Sequence, residues 1–320
     1  MLNGLLDSLR TTLIEGASHL PMNFAIETES LSKRFGRLKA LDELSLRVAQ
    51  GGVHALVGPN GAGKTTLIKI LVNIFRATAG TATVLGADST SISGKAFARI
   101  GYVSENQQLP LWMRVGAFLK YFRPFYPTWD LDLESRFVRQ FELPLDRKLR
   151  HLSRGMRMKA ALASALAFRP ELIILDEPFS GLDPVVREEL VQALVDATAY
   201  STTFVSSHDL AEIESFATHL TYLDSGRLRL SEDVPSIRSR FREVEVTLDS
   251  PVAIPPDLPS NWLQFSTAGA TLKFIDSAFQ PDTLQSEILH RFGTIQHAAF
   301  NPMTIRNIFL AVAKSARKPS

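Results

Sequence analysis

The sequence predicts an α/β fold, and three observations lead to that prediction. A strand-like apolar run at residues 53–57 passes through a glycine-rich turn into a helical pattern that begins near Thr65. A second short apolar run, at residues 172–175, ends in two acidic residues, which is typical of a buried strand. Further strand-like and helical segments separate these two runs. Together they indicate a sheet covered by helices.

Length and composition exclude several classes. The chain has 320 residues, of which 45% are hydrophobic and 21% are charged, so it can bury a large core divided between about two domains. A net charge of +2 does not indicate nucleic-acid binding, and the absence of cysteine excludes disulfides and thiolate metal sites. No apolar stretch approaches the roughly 18 residues of a membrane-spanning helix. Any work at a membrane would therefore need a separate spanning partner.

The first 22 residues predict a separate N-terminal extension. Leucines at helical spacing indicate an amphipathic helix, without the basic start of a secretory signal. Met22 opens what resembles a fresh domain start. We hypothesise that residues 1–21 precede the native start of the protein.

The glycine-rich turn matches the phosphate-binding pattern G-x-x-x-x-G-K-[ST]. Its glycines allow backbone N–H groups to point at a phosphate, Lys64 adds a positive charge, and the Thr65 hydroxyl can ligate Mg²⁺. The candidate nucleotide-binding residues of the loop are Gly58, Pro59, Asn60, Gly61, Ala62, Gly63, Lys64, Thr65 and Thr66. The strand, loop and helix context predicts a nucleoside triphosphate site rather than an ordinary turn.

Strands are predicted on both sides of this loop. Residues 24–27 and 40–48 precede it, with an aromatic residue and a glycine, Phe35 and Gly36, between them. Residues 81–86 and 100–104 follow it. Residues 109–150 then carry many aromatic residues between prolines, which predicts a small helical subdomain whose aromatic side chains are mostly core.

A helix is predicted to begin at Ser153, within Leu152-Ser153-Arg154-Gly155-Met156. Serine is a favoured helix N-cap, and the helix start presents free N–H groups and a positive dipole end to an anion. Basic residues surround this start, so a solvated charged face is the alternative reading.

The acidic pair after the second apolar run is the predicted catalytic centre. Carboxylates at the end of an apolar strand are costly unless a cation or a catalytic role offsets the lost hydration. We expect Asp176 to hold Mg²⁺ and Glu177 to deprotonate the attacking water. A strand at residues 203–207 leads to His208, and a hairpin about residues 224–226 closes this part. Residues 236–320 predict a small accessory α+β unit.

As an ordered set, these motifs resemble the ATP-binding cassette family over residues 23 to about 235. The resemblance implies a P-loop NTPase cassette: a RecA-like α/β core, an antiparallel β subdomain and a helical subdomain at about 106–160. To this the sequence adds the small C-terminal α+β extension. The family's signature matches at Ser153 and Gly155, whereas Arg154 and Met156 replace a glycine and a glutamine.

The resemblance also implies roles for individual residues. Phe35 would stack on adenine, with core packing as the alternative, and His208 would contact the γ-phosphate and orient the water. Glu105 stands where the family usually has a glutamine near Mg²⁺, although Gln107 or Gln108 could fill that role. Ser153 and Gly155 would face the γ-phosphate of ATP on another subunit, and Asp183 would help to join the two sites.

The implied function is the ATP-hydrolysing subunit of a transporter that uses ATP and Mg²⁺. Its implied partners are a separate transmembrane permease and a second cassette, identical or homologous, bound head to tail at the cytoplasmic face of the membrane. Glu105 and Arg154 favour export. The alternatives are a soluble cassette ATPase acting on nucleic acid or ribosomes, and a phosphotransferase that shares only the phosphate loop. We expect no nucleic acid to bind.

Overall fold

A computed structural model describes residues 23–255 and 257–316. The predicted extension at residues 1–22 lies outside the described residues. Asn23 is the first described residue, and the first strand begins at Phe24.

Most predicted strands and helices are present, but the first strand extends to Phe35, well beyond its predicted end at residue 27, and the short helices α2 and α7 were not predicted. The strands are β1 (Phe24–Phe35), β2 (Leu38–Ala49), β3 (Val53–Val57), β4 (Ala79–Val84), β5 (Ala87–Asp88), β6 (Ile100–Ser104), β7 (Leu172–Asp176), β8 (Thr202–Ser207), β9 (His219–Asp224), β10 (Arg227–Asp233), β11 (Arg242–Leu248), β12 (Trp262–Ala268), β13 (Thr271–Asp276) and β14 (Ile295–Pro302). The α-helices are α1 (Lys64–Leu71), α2 (Gly94–Phe97), α3 (Val115–Phe122), α4 (Leu131–Gln140), α5 (Arg154–Leu166), α6 (Pro184–Ala197), α7 (Val234–Arg240), α8 (Pro281–Phe292) and α9 (Ile305–Ala316).

The central sheet has six strands in the order β10-β9-β3-β8-β7-β6. The pairs from β9 to β6 are parallel, and the predicted hairpin adds β10 as an antiparallel edge. Strands β3, β7 and β8 are buried along their whole length, as expected of a sheet covered on both faces. The carboxyl ends of β3, β6, β7 and β8 therefore meet at one edge.

A second sheet, β2-β1-β4-β5, forms the predicted antiparallel subdomain. Apolar residues on one face of α1, including Leu67 and Ile68, share a buried cluster with Ile26 and Leu46 of this sheet. Helix α1 is therefore fixed between the two sheets, and the loop that precedes it is fixed as well.

The predicted helical subdomain contains α3, α4 and the start of α5. Phe118, Phe137 and Phe141 fill its core and are at most 2% exposed. The expectation that the aromatic residues are mostly core holds less well, because Trp112, Tyr121 and Phe125 are exposed at 70%, 53% and 60%. Part of the aromatic set therefore lies at the surface of the helical subdomain.

The C-terminal region forms a third sheet, β12-β13-β11-β14, with α8 beside it. Val244, Trp262 and Ile288 belong to its separate buried cluster. Helix α9 packs differently, because its Ile305, Ile308 and Phe309 join the large cluster of the central sheet. In residues 23–255 and 257–316, no helix has both the length and the apolar character needed to cross a membrane.

Candidate nucleotide-binding site

The glycine-rich loop connects the end of β3 to the start of α1. Gly61 and Gly63 adopt φ values of +81° and +108°, a region that favours glycine. A Cβ atom at Gly63 would lie 2.5 Å from the carbonyl oxygen of Ala40, and one at Gly58 would lie 2.2 Å from that of Leu223. The loop therefore needs its glycines for both backbone conformation and space.

Lys64 is buried at the first position of α1, with 5% of its surface exposed. Its ammonium group donates to the carbonyl oxygens of Gly58 at 2.6 Å and Pro59 at 3.3 Å. The same nitrogen lies 3.2 Å from Oε1 of Glu177. A cation held among loop carbonyls and one carboxylate is well placed to receive phosphate oxygens.

Asp176 ends β7 beside the start of α1. Its Oδ1 accepts hydrogen bonds from Thr65 Oγ1 at 3.1 Å and from Ser206 Oγ at 2.8 Å. Burial raises the pKa of this carboxyl group, against the lowering effect of the two hydroxyl donors. A nearby cation would favour its charged form.

Ser206 is a site residue that the sequence analysis did not identify. It lies opposite Asp176 in the parallel register of β7 and β8, and its hydroxyl also accepts from the Glu177 N–H at 3.0 Å. The available signal was the pair of serines that ends the strand just before His208.

Glu177 and His208 contact each other directly. Oε2 of Glu177 lies 2.7 Å from His208 Nδ1 and also accepts from the His208 backbone N–H at 3.2 Å. The hydrogen bond to Glu177 raises the pKa of His208, with burial acting in the opposite direction. Glu177 is therefore held between His208 on one oxygen and Lys64 on the other.

Lys64, Glu177 and His208 line one cavity of about 790 Å³. The predicted site residues that line it are Phe35, Asn60, Gly61, Ala62, Gly63, Lys64, Thr65, Thr66, Glu105, Glu177 and His208. Phe35 is 43% exposed and contacts Phe75 edge to face, so simple core packing does not describe it. One open cavity thus brings together the phosphate loop, Glu177 and an accessible aromatic ring, with Asp176 beside it in contact with Thr65.

Glu105 lies on the cavity, directly after β6. Its N–H donates to the Asp176 carbonyl oxygen at 2.9 Å, and its carboxylate pairs with Arg154. Gln107 and Gln108 line only a neighbouring cavity of about 450 Å³, which Glu105 also lines. Of the three candidates for the glutamine role, Glu105 is the one on the nucleotide cavity.

Gly58, Pro59 and Asp176 do not line this cavity, but they contact Lys64 and Thr65, which do. Three further predicted residues do not line it either: Ser153, Gly155 and Asp183. Ser153 is the predicted N-cap of α5, since its hydroxyl accepts from Met156 N–H at 3.1 Å. Asp183 caps α6 in the same way through Val186 N–H at 3.0 Å. The structure does not bring these residues to the subunit's own phosphate loop.

The donor set fits Mg²⁺ bound together with a triphosphate. No cluster of three or more metal-binding side chains occurs in the part of the chain that the structure describes. Mg²⁺ does not require one, because it commonly takes one or two protein oxygens and completes its shell with phosphates and water. Thr65 Oγ1 and Asp176 Oδ1 supply such a pair of oxygens.

A parallel sheet, a glycine-rich loop that opens a helix after β3, and an acidic pair at the end of β7 in the same sheet define a P-loop nucleoside triphosphatase. Comparisons with known proteins narrow this class. A family model described as ABC transporter matches residues 41–180. The daunorubicin resistance ATP-binding protein DrrA2 of Streptomyces coeruleorubidus is 34% identical over 218 residues, covering 66% of this chain and 67% of that protein.

Two further matches agree. The sulfate/thiosulfate import ATP-binding protein CysA of Bordetella parapertussis is 34% identical over 216 residues, covering 64% of this chain and 60% of that protein. A solved ATP-binding subunit of an ABC transporter superposes with a TM-score of 0.62 at 27% identity, covering 67% of this chain and 92% of that one. The chain belongs to the ABC transporter ATP-binding protein family. It is an ATP-binding cassette ATPase, and the cassette fold that the sequence predicted is confirmed.

Proposed function

We propose that this ATPase powers a separate membrane-spanning permease by binding and hydrolysing Mg·ATP between two cassettes. The observation that carries the proposal is the contact chain from Lys64 through Glu177 to His208, beside the Thr65 and Asp176 oxygens. It combines a phosphate-binding cation, a base and a magnesium site in one cavity.

The hydrolytic step follows from these contacts. Thr65 and Asp176 would hold Mg²⁺, which would neutralise part of the phosphate charge. Lys64 exchanges Glu177 for phosphate oxygens, and this frees Oε1 of Glu177 to accept a proton from a water molecule. The water oxygen bonds to the γ-phosphorus as the bond to the bridging oxygen breaks, which leaves ADP and phosphate. His208 orients Glu177 and contacts the transferred phosphoryl group.

Two cassettes complete one another in this proposal. Ser153, Gly155 and Asp183 serve the nucleotide of a second, identical or homologous subunit bound head to tail. The capped start of α5 supports this assignment, because it presents N–H groups to an anion while it lies away from the subunit's own loop. ATP binding then favours the closed pair, and hydrolysis reopens it.

The helical subdomain is the surface that we assign to the permease. An apolar groove of about 340 Å³ is lined by Phe97, Tyr121, Phe122, Phe125 and Tyr126. Exposed aromatic residues around a groove are typical of protein contacts. The subunit would then act at the cytoplasmic face of the membrane.

Export is the direction that we propose, because Glu105 resembles the residue of exporter-type cassettes at this position. The names of the relatives cover both drug resistance and sulfate import. An assay in membrane vesicles of known orientation, made with the co-purified permease, separates the two directions. Accumulation of cargo on the same side as ATP would contradict export.

The catalytic assignment is tested with Glu177→Gln. The amide cannot take the proton from water, so we expect turnover to fall at least ~100-fold while ATP binding is retained. Steady-state phosphate release and equilibrium ATP binding measure the two properties separately. Wild-type turnover in this variant would remove Glu177 from the role of base.

A further inference from the structure

Two of the three positions at which this chain departs from the cassette family's pattern contact each other. Glu105 replaces the usual glutamine after β6, Arg154 replaces a signature glycine at the start of α5, and Arg154 Nη2 forms an ion pair with Glu105 Oε1. The two side chains lie 49 residues apart in the sequence, so this pairing depends on the fold.

Glu105 lines both the nucleotide cavity and the neighbouring cavity, and its cationic partner lines only the neighbouring one. Of the two described acidic residues that line the nucleotide cavity, Glu177 lies between Lys64 and His208. Glu105 has its ion pair with Arg154, which lines the neighbouring cavity and not the nucleotide cavity. The charge of Glu105 is thus balanced by a residue of the neighbouring cavity, at the boundary that Glu105 forms between the two cavities.

The position of Arg154 is constrained on a second side. A Cβ atom at Gly181, in the loop between β7 and α6, would lie 3.1 Å from Arg154 Nη1. Arg154 therefore packs against that loop while it pairs with the residue that follows β6. Its guanidinium group is half-exposed, which leaves it open to salt screening.

We infer that Glu105 and Arg154 are a matched charge pair, in which Arg154 is a positioning residue that makes a glutamate compatible with Mg·ATP in the same subunit's cavity. Without Arg154, the Glu105 carboxylate would face the triphosphate unbalanced and repel it. When both charges are removed, the position after β6 is neutral, as in the family pattern, and no longer repels the triphosphate. The inference rests on the proposed nucleotide site.

The test is a double-mutant cycle on Mg·ATP affinity in the full chain. We expect Arg154→Gln to weaken binding about tenfold, the equivalent of about 1.4 kcal/mol. Glu105→Gln should bind at least as tightly as the wild type, and the double variant should return to within about twofold of the wild type. Arg154→Lys should restore most of the loss.

Salt dependence separates a charge effect from a folding effect. The loss in Arg154→Gln should shrink between low salt and 1 M salt, since the Debye length falls to about 3 Å there. Arg99→Gln is the matched control, because Arg99 pairs with Glu171 at the opposite ends of β6 and β7. We expect it to leave Mg·ATP binding unchanged.

Two results would overturn the inference while wild-type binding stands. One is a double variant as weak as Arg154→Gln, which would show that Arg154 acts on nucleotide independently of Glu105. The other is an Arg154→Gln variant that binds like the wild type. Absence of Mg·ATP binding by the wild-type chain would instead contradict the proposed site itself.

Discussion

Glu177 adopts φ +53°, a left-handed conformation that is uncommon for a residue other than glycine. Its backbone N–H is held by the Ser206 hydroxyl, and its carboxylate lies between Lys64 and His208. Such strain persists only when neighbouring contacts fix it. The strained conformation therefore aims the carboxylate into the cavity.

The contact between Glu177 and His208 leads to a titration experiment. His208 has its pKa raised from 6.5 by the hydrogen bond to Glu177, so we expect Glu177→Gln to lower that pKa. The contact stabilises the fold below the unfolded-state pKa, and this contribution is lost as pH rises through the folded-state pKa. NMR titration of the ring protons measures the shift. An unchanged pKa would contradict the hydrogen bond.

His54 gives a pH dependence of the opposite sign. Burial and the stacked ring of His219 lower its pKa from 6.5 to about 4. Between these values the unfolded chain binds more protons, so stability should fall as pH is lowered from 6.5 to about 4. The full contribution is about 3 kcal/mol. Denaturant unfolding at several pH values measures the free energy of unfolding. We expect this free energy to depend less on pH in His54→Gln than in the wild type, and to keep its pH dependence in the control His297→Gln, whose residue is exposed. An equal pH dependence in His54→Gln and the wild type would contradict the assignment to His54.

At the scale of elements, the phosphate loop depends on close backbone contact. We expect Gly63→Ala to abolish ATP binding, because the new Cβ would lie 2.5 Å from the Ala40 carbonyl oxygen and φ is +108°. Gly269→Ala is the matched control: its φ is +63° with no atom within 4 Å, so it should cost about 1–2 kcal/mol of stability and leave ATP binding intact. ATP binding measured by calorimetry compares the two, and retained binding in Gly63→Ala would be the contrary result.

Elements with strong local signals were predictable from sequence. The apolar strands β3 and β7, the loop before α1 and the closing hairpin have residue types that favour one structure, and Ser153 is of a type favoured as a helix N-cap. The role of Ser206 was not predictable from sequence, because its contact with Asp176 depends on the register between β7 and β8. The Glu105 and Arg154 contact was equally hidden, since each residue alone resembles a surface charge.

The whole molecule shows why the C-terminal residues are not a simple appendage. The sheet of β11–β14 has its own buried cluster, but α9 returns to the cluster of the central sheet. The division at residues 235 and 236 stays a prediction. We propose that α9 joins the stability of the C-terminal region to that of the cassette.

If α9 is part of the core, substitutions at its buried and exposed positions should change the free energy of unfolding by unequal amounts. Ile308 is fully buried, so Ile308→Ala should lower the free energy of unfolding by about 2–5 kcal/mol. Leu310 is 51% exposed, and Leu310→Ala should change the free energy of unfolding by less than about 1 kcal/mol. Thermal unfolding of both variants, followed with and without ATP, makes the comparison. Equal stability of the two variants would place α9 outside the core.

The proposed ATPase activity requires one cavity that binds Mg·ATP. The most direct measurement is calorimetric titration of ATP into the purified full chain, with Mg²⁺ and with a chelator. We expect one ATP per chain, bound more tightly with Mg²⁺, and loss of that binding in Lys64→Ala. No measurable affinity for ATP in the presence of Mg²⁺ would contradict the central claim.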